Sequence, residues 1–141
     1  MSAPQVCVGA VATRDGALLL IRRGQPPGRG RWSLPGGRVE AGETVAAAVV
    51  REVAEETALQ VTCDALVGWV ERIGADHHFV ILDFAVSLAG PATPAAGDDA
   101  AEVAWVPLGE VAGLPLVEGL ETFLLDHGVI PPAPDVSPGR P

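Results

Sequence analysis

Gly37-Arg38-Val39-Glu40-Ala41-Gly42-Glu43-Thr44-Val45-Ala46-Ala47-Ala48-Val49-Val50-Arg51-Glu52-Val53-Ala54-Glu55-Glu56-Thr57-Ala58-Leu59 contains the most strongly helical segment of this chain. Thr44 offers an N-cap hydroxyl, and Val45 to Thr57 is free of glycine and proline, so a helix is expected over those residues. At about 100° per residue, Glu52, Glu55 and Glu56 stand at i, i+3 and i+4 and share one narrow face. Val45, Val49, Val50 and Val53 make the adjoining apolar stripe that can anchor the helix to a sheet. Like charges at these spacings cost a few tenths of a kcal/mol per pair, a cost that a divalent cation would remove. Oxygen donors without His or Cys favour Mg2+ or Mn2+ over Zn2+, and such ions bind substrate phosphates in the same coordination shell. A solvated acidic face is the competing reading, and the flanking residues weigh against it.

Arg51 lies four residues before Glu55 and can steady its carboxylate, Glu43 can pair with Arg51, and Gly36-Gly37 brings bare backbone close to the acidic face. The spacing is Gly37, five residues, Glu43, seven residues, then Arg51-Glu52-Val53-Ala54-Glu55-Glu56-Thr57-Ala58-Leu59. It resembles the Nudix box of the Nudix hydrolase family, matching every specified position over 23 residues except the last glycine, where Ala58 stands. Trp32-Ser33-Leu34-Pro35-Gly36-Gly37 is similar to the family's usual lead-in, and the likeness extends over roughly residues 5 to 128.

The resemblance implies an α/β fold, a Nudix-type α/β/α sandwich with a mixed β-sheet. It implies that Glu52, Glu55 and Glu56 hold Mg2+, with Mn2+ as the alternative, against a pyrophosphate. The Gly36 carbonyl would be a further ligand, and Arg51 and Glu43 would be supports. Water would attack one phosphorus of a nucleoside diphosphate linked to another group. The general base stays open between Glu52, Glu55 and a later-loop acid, in the order Asp99, Asp98, Glu102. Ala58 falls where glycine takes a left-handed conformation, and strain is expected there. ADP-ribose or a nucleotide sugar is the favoured substrate, because Gly97 to Val106 is similar to bacterial members of that type. A sanitiser of oxidised dGTP and a non-hydrolysing nucleotide sensor are the alternatives.

Composition agrees with this picture. A chain of 141 residues, 48% apolar and 19% charged, is sized for one domain with its own core. No apolar run approaches the roughly 20 residues of a membrane span, and Met1 to Val6 has no leader pattern, so a cytoplasmic protein without a membrane partner is expected. A net charge of −9 opposes binding to nucleic-acid polymers. All nine basic residues are arginine, five of them between Arg22 and Arg38, which makes Arg22, Arg23, Arg29 and Arg31 candidates for substrate phosphates. Cys7 and Cys63 read as reduced, buried thiols. A small-molecule nucleotide is the expected partner, with a homodimer an open option.

Around the box, Gln5–Thr13 and Ala17–Arg23 read as a hairpin about Arg14-Asp15-Gly16. Pro35-Gly36-Gly37 reads as a tight turn. Val61–Val70, bulged at Gly68, His77–Leu88 and Glu102–Val106 read as strands, and Val117–His127 as a helix closed by Gly128. His77 and His78 point to opposite faces, and Trp32, Trp69 and Phe79 are assigned to core packing. Residues 1–130 are expected to form the domain, and Pro131–Pro141, with five prolines, a disordered tail.

Overall fold

Leu18, Leu19, Leu20 and Ile21 are at most 1% exposed, and their alternation along one strand organises the layers. Leu18 and Leu20 point into one core, and Leu19 points into another. A strand buried on both faces needs a cover on each, which is the sandwich expected from the sequence.

The computed structural model describes residues 3–97 and 99–132. In chain order the elements are β1 (Gln5–Val11), β2 (Thr13–Arg14), β3 (Ala17–Arg23), β4 (Trp32–Ser33), β5 (Gly36–Arg38), α1 (Val45–Thr57), β6 (Val61–Ile73), β7 (His78–Leu88), β8 (Ala100–Pro107), a 3-10 turn (Leu108–Gly113) and α2 (Leu120–Asp126). The first sheet, ordered β5-β1-β7-β6, is mixed, because β1 and β7 run parallel while β5 and β6 pair antiparallel with them. The second sheet is antiparallel: β3 pairs with β2 and β4 and, along its whole length, with β8. Ala48, Val49 and Val53 of α1 pack with Val8, Ala10, Leu19, Leu59, Val61 and Val86. Leu120, Phe123 and Leu124 of α2 pack with Val11, Leu18, Leu20, Trp32, Leu34 and Val106. Among the described residues no helix is long and apolar enough to cross a membrane.

Both ends of α1 follow the sequence. The Thr44 hydroxyl accepts from the Ala47 N–H at 3.1 Å. At the other end Ala58 has φ 63° and donates its N–H to the Ala54 carbonyl at 3.0 Å, a left-handed cap made by a residue with a Cβ. The buried Thr57 hydroxyl donates to the Val53 carbonyl at 2.6 Å and fixes the turn into Leu59.

Four expectations are corrected. Gln5–Thr13 does not form one arm of a hairpin: β1 joins the first sheet, and only the two residues of β2 return against β3 across Asp15 (φ 50°) and Gly16 (φ 76°). The segment Gly36–Arg38 is a strand paired with β1, not a turn, because Gly36 and Gly9 face each other without side chains and let the backbones meet. Val117 lies outside α2; its N–H donates to the Trp32 carbonyl at 2.9 Å, and the helix begins only after Gly119, φ 82°. Trp69 is 58% exposed on the edge strand β6, so only Trp32 and, in part, Phe79 are buried as expected. The Gly68 irregularity in the β6–β7 register is present. Cys7 and Cys63 are free thiols, half-buried, with burial raising both pKa values. Asp98 and residues 133–141 of the expected tail lie outside the described residues.

A non-glycine residue in the left-handed region costs roughly 1–2 kcal/mol, of which glycine's larger unfolded-state entropy returns a part. Ala58→Gly should therefore raise stability by about 0.5–1 kcal/mol, on the order of 3 °C in a calorimetric Tm. A lower Tm for the variant would show that the cap is not strained.

Candidate active site

The acidic face of α1 is built around one guanidinium. Arg51 donates through Nε and Nη2 to Glu43 at 2.7 and 2.9 Å, through Nη1 to Glu52 at 2.8 Å and to Glu55 at 3.3 Å, and through Nη2 to the Arg38 carbonyl at 3.0 Å. The fork-to-carboxylate geometry with Glu43 is the strong, oriented kind. Glu40 adds a carboxylate 3.8 Å from Nη1, and its N–H donates to Glu43 at 3.1 Å. Sequence reading found Glu43 but passed over Glu40, whose only signal is its place three residues earlier in the turn that Gly42 closes.

Glu56 lies one turn beyond Glu52 on the same face of α1. It is 8% exposed, and one oxygen accepts the Gly36 N–H at 2.7 Å, which ties α1 to the free edge of β5. Glu52 lies over Gly37: a Cβ there would stand 2.6 Å from the Glu52 carboxyl carbon. The two glycines thus supply a bare strand edge on which two carboxylates rest. For Gly36 the contact made is the N–H to Glu56.

Electrostatics separates these acids. The Arg51 hydrogen bonds hold Glu43 down to about 2, aided by the Glu40 N–H. Burial pushes Glu56 up to about 7, with Glu52 and Asp99 adding to the rise and the Gly36 N–H and Arg23 opposing it. Burial also raises Glu52 against the pull of Arg51. Arg51 itself is raised, chiefly by Glu43, and stays charged. Among the described residues, in the arrangement seen, no three or more His, Cys, Asp or Glu side chains are gathered as a group that could hold a metal ion. Glu43, Glu52 and Glu55 instead share Arg51, and Glu56 takes the Gly36 N–H.

The later loop comes to this face. Ala95 and Gly97 donate their N–H groups to the Thr57 and Glu56 carbonyls at 2.8 and 3.2 Å, which sets Asp99 close enough to influence Glu56. Glu102 is instead engaged by Arg22 at 3.1 Å. Of the other arginines, Arg23 reaches the field of Glu56 while its Nε donates to the Pro27 carbonyl at 2.6 Å. Arg31 donates to the Leu116 carbonyl at 3.1 Å and faces an open hollow of about 490 Å³ before α2. His78 pairs with Glu71 at 2.8 Å, and His77 stacks on Phe79 with centroids 4.9 Å apart, so the two histidines share no partner.

The family model for the NUDIX domain matches residues 3–126. The chain belongs to the Nudix family. It is similar to an ADP-ribose pyrophosphatase of Methanocaldococcus jannaschii, 38% identical over 113 residues, covering 79% of this chain and 66% of that one. It is also similar to an 8-oxo-dGDP phosphatase of Homo sapiens, 31% identical over 102 residues, covering 72% of this chain and 32% of that one. A crystal structure of a MutT NUDIX hydrolase from Burkholderia pseudomallei superposes with a TM-score of 0.76 at 31% identity, over 87% of this chain and 97% of that one. The Nudix chain described here thus spans less than two thirds of the length of either curated relative.

Two titrations follow. The folded value of Glu43, about 2, lies below the usual carboxylate value, so its ion pair stabilises above about pH 4.3 and is lost as pH falls toward 2. The Tm deficit of Arg51→Gln should be full at neutral pH and shrink over that window. For Glu56 the sign reverses: a folded value near 7 means that ionisation costs stability as pH rises from about 4.3 to 7. In metal-free protein, Glu56→Gln should raise Tm at pH 8 and approach the wild type near pH 4.5, and a pH-independent difference in thermal melts would contradict the assignment.

Proposed function

We propose that this Nudix chain is a divalent-cation-dependent pyrophosphohydrolase for a nucleoside diphosphate linked to another group, of ADP-ribose or nucleotide-sugar type. The observation that carries the reading is the set of Glu52, Glu55 and Glu56, held by Arg51 and the Gly36 N–H along the edge of β5. These are hard oxygen donors without competing nitrogen or sulfur, and they fit Mg2+, or Mn2+ in its place. A bound cation would neutralise non-bridging phosphate oxygens and acidify the attacking water.

The chain's own residues divide the remaining work. Arg51 orients Glu52 and Glu55 and keeps Glu43 ionised beside them. In the reaction the water oxygen forms a bond to one phosphorus, the bridging P–O bond breaks, and the products are two phosphate-ended molecules. The proton leaving the water goes to a carboxylate. Asp99 is the first candidate, because its loop is fixed to the end of α1 and its charge is felt at Glu56. Asp98 is second, and Glu102, already engaged with Arg22, is third. Glu52 and Glu55 remain the alternatives within the box. Arg23 is the arginine best placed for a substrate phosphate, Arg22 serves once Glu102 releases it, and Arg31 stands farther off beside Leu116.

Similarity to the archaeal ADP-ribose pyrophosphatase favours the nucleotide-linked substrate, and similarity to the human 8-oxo-dGDP phosphatase supports the second reading, clearance of oxidised guanine nucleotides. A panel of ADP-ribose, nucleotide sugars and oxidised dGTP, with Mg2+, with Mn2+ and with chelator, separates them by phosphatase-coupled phosphate release. Binding without release would make the chain a sensor.

Glu55→Gln and Glu56→Gln should each lower turnover on the best substrate at least about a hundredfold while keeping the fold, since a lost ligand removes several kcal/mol of transition-state stabilisation. Near-normal cation-dependent turnover in either variant would refute the ligand assignment. Of Asp98→Asn, Asp99→Asn and Glu102→Gln, the second should lose most; if all three keep wild-type turnover, the base belongs to the box.

A further inference from the structure

Besides Glu56, Asp83 is the buried acid among the described residues, and the proposed reaction has no use for it. It interrupts an apolar strand, β7, and is 5% exposed. Leu82 and Phe84 face the α1 core, so Asp83 faces the opposite side of the sheet. Among the described residues no side-chain hydrogen bond or ion pair engages its carboxylate, yet no fully buried side-chain oxygen lacks a partner. Its small remaining exposure therefore lies at the carboxylate oxygens. A carboxylate withdrawn from water with no donor supplied in exchange is costly to the fold. Burial raises its pKa to about 6, and Arg72 opposes the rise.

The surroundings show what faces it. Across the first sheet, Gly36, Gly9, Asp83 and Gly68 lie in one register row, three bare positions and one acid. A Cβ on Gly9 would run into the Asp83 carboxylate, so Gly9 leaves it room. Helix α2 shields the Gly68 end, where a Cβ would meet His127 at 2.6 Å and Phe123 at 3.0 Å. On the other side of the row the same face carries Cys7, Ile81 and Val70, in register with one another and half-buried. Next come Phe79 and, opposite it, Arg72, with the Arg38 guanidinium 5.9 Å above the Phe79 ring. This face of the sheet thus carries half-buried apolar side chains, two guanidiniums beside Phe79 and, at the next row, one carboxylate. The row of glycines joins it to Gly36, whose N–H holds Glu56, two inter-strand steps or about 10 Å away.

We propose that Asp83 reads the nucleobase of the substrate, its carboxylate accepting a hydrogen bond from the exocyclic amino group of a base lying against this face. An ionised carboxylate only accepts, so it selects for an N–H donor, and arginines suit the faces of a flat heterocycle. The assignment rests on the reading above for the phosphate end, which places the pyrophosphate on the glutamates at the β5 edge.

The test compares equilibrium binding of AMP, GMP and purine riboside 5′-monophosphate by calorimetry, together with KM and kcat on ADP-ribose, in wild type, Asp83→Asn and Asp83→Ala. Purine riboside 5′-monophosphate has neither an exocyclic amino group nor a ring N–H. The wild type should bind the better of AMP and GMP about tenfold or more tightly than this analogue, since a site built around a hydrogen bond rejects the analogue that cannot make it. In Asp83→Ala that preference should fall to near one. If ADP-ribose is turned over, its KM should rise about tenfold with kcat within about threefold. Asp83→Asn, isosteric, should melt no lower than the wild type. Unchanged selectivity in both variants, or a wild type that does not discriminate, overturns the proposal, as does a loss of Tm in Asp83→Asn with selectivity intact. Binding needs no turnover: absence of hydrolysis sinks the reading of the preceding subsection alone, and hydrolysis with Asp83-independent selectivity sinks this one alone.

Discussion

Like charge crowded onto one helix face is the constraint to which the rest of this structure answers. Glu52 and Glu55 on α1, with Glu43 and Glu40 just before it, bring four carboxylates around a single cation, Arg51, and Glu56 adds a fifth on the same helix face beyond its reach. Repulsion at these spacings amounts to tenths of a kcal/mol per pair, whereas burying Val49, Val53 and Leu59 contributes about 1.5–3 kcal/mol each. Packing therefore wins, and α1 holds its acidic face without a cation being needed for folding. Arg51 does not cancel the charge; it distributes it, keeping Glu43 ionised while Glu56 is left to burial and one backbone N–H.

The sheets serve that helix by being bare where it touches them. At Gly36 and Gly37 the edge of β5 offers peptide groups instead of side chains, so Glu56 can hydrogen-bond to the strand and Glu52 can lie flat on it. The same absence of side chains continues at Gly9, which lies across from Gly36 and lets β1 and β5 approach closely.

The helix, its cap and its left-handed terminus were legible in the sequence because each depends on neighbours within four residues: Thr44 on Ala47, Ala58 on Ala54. The glutamate face and Arg51 were legible for the same reason. What the sequence did not show depends on distant partners. Gly36-Gly37 is read as a turn locally and becomes a strand only because Gly9 lies across from it. Val117 has helical neighbours but is drawn to Trp32. Trp69 is aromatic enough for a core yet stands on the edge strand. Asp83 was passed over in the sequence, because its burial and its lack of a side-chain partner are properties of the assembled sheet.

Helix α1 ends with carbonyls that no later turn of its own can satisfy, and the loop after β7 supplies the missing donors from Ala95 and Gly97. The loop is thus spliced to the helix by peptide groups, which any residue carries. Its composition, rich in proline, glycine and alanine, is free to drift, and so is its length, since enlarging a surface loop costs little closure entropy. Only the stretch from Gly97 onward has to keep its registration with the helix end. A fold arranged in this way can vary the approach to its acidic face while Asp99 stays near Glu56.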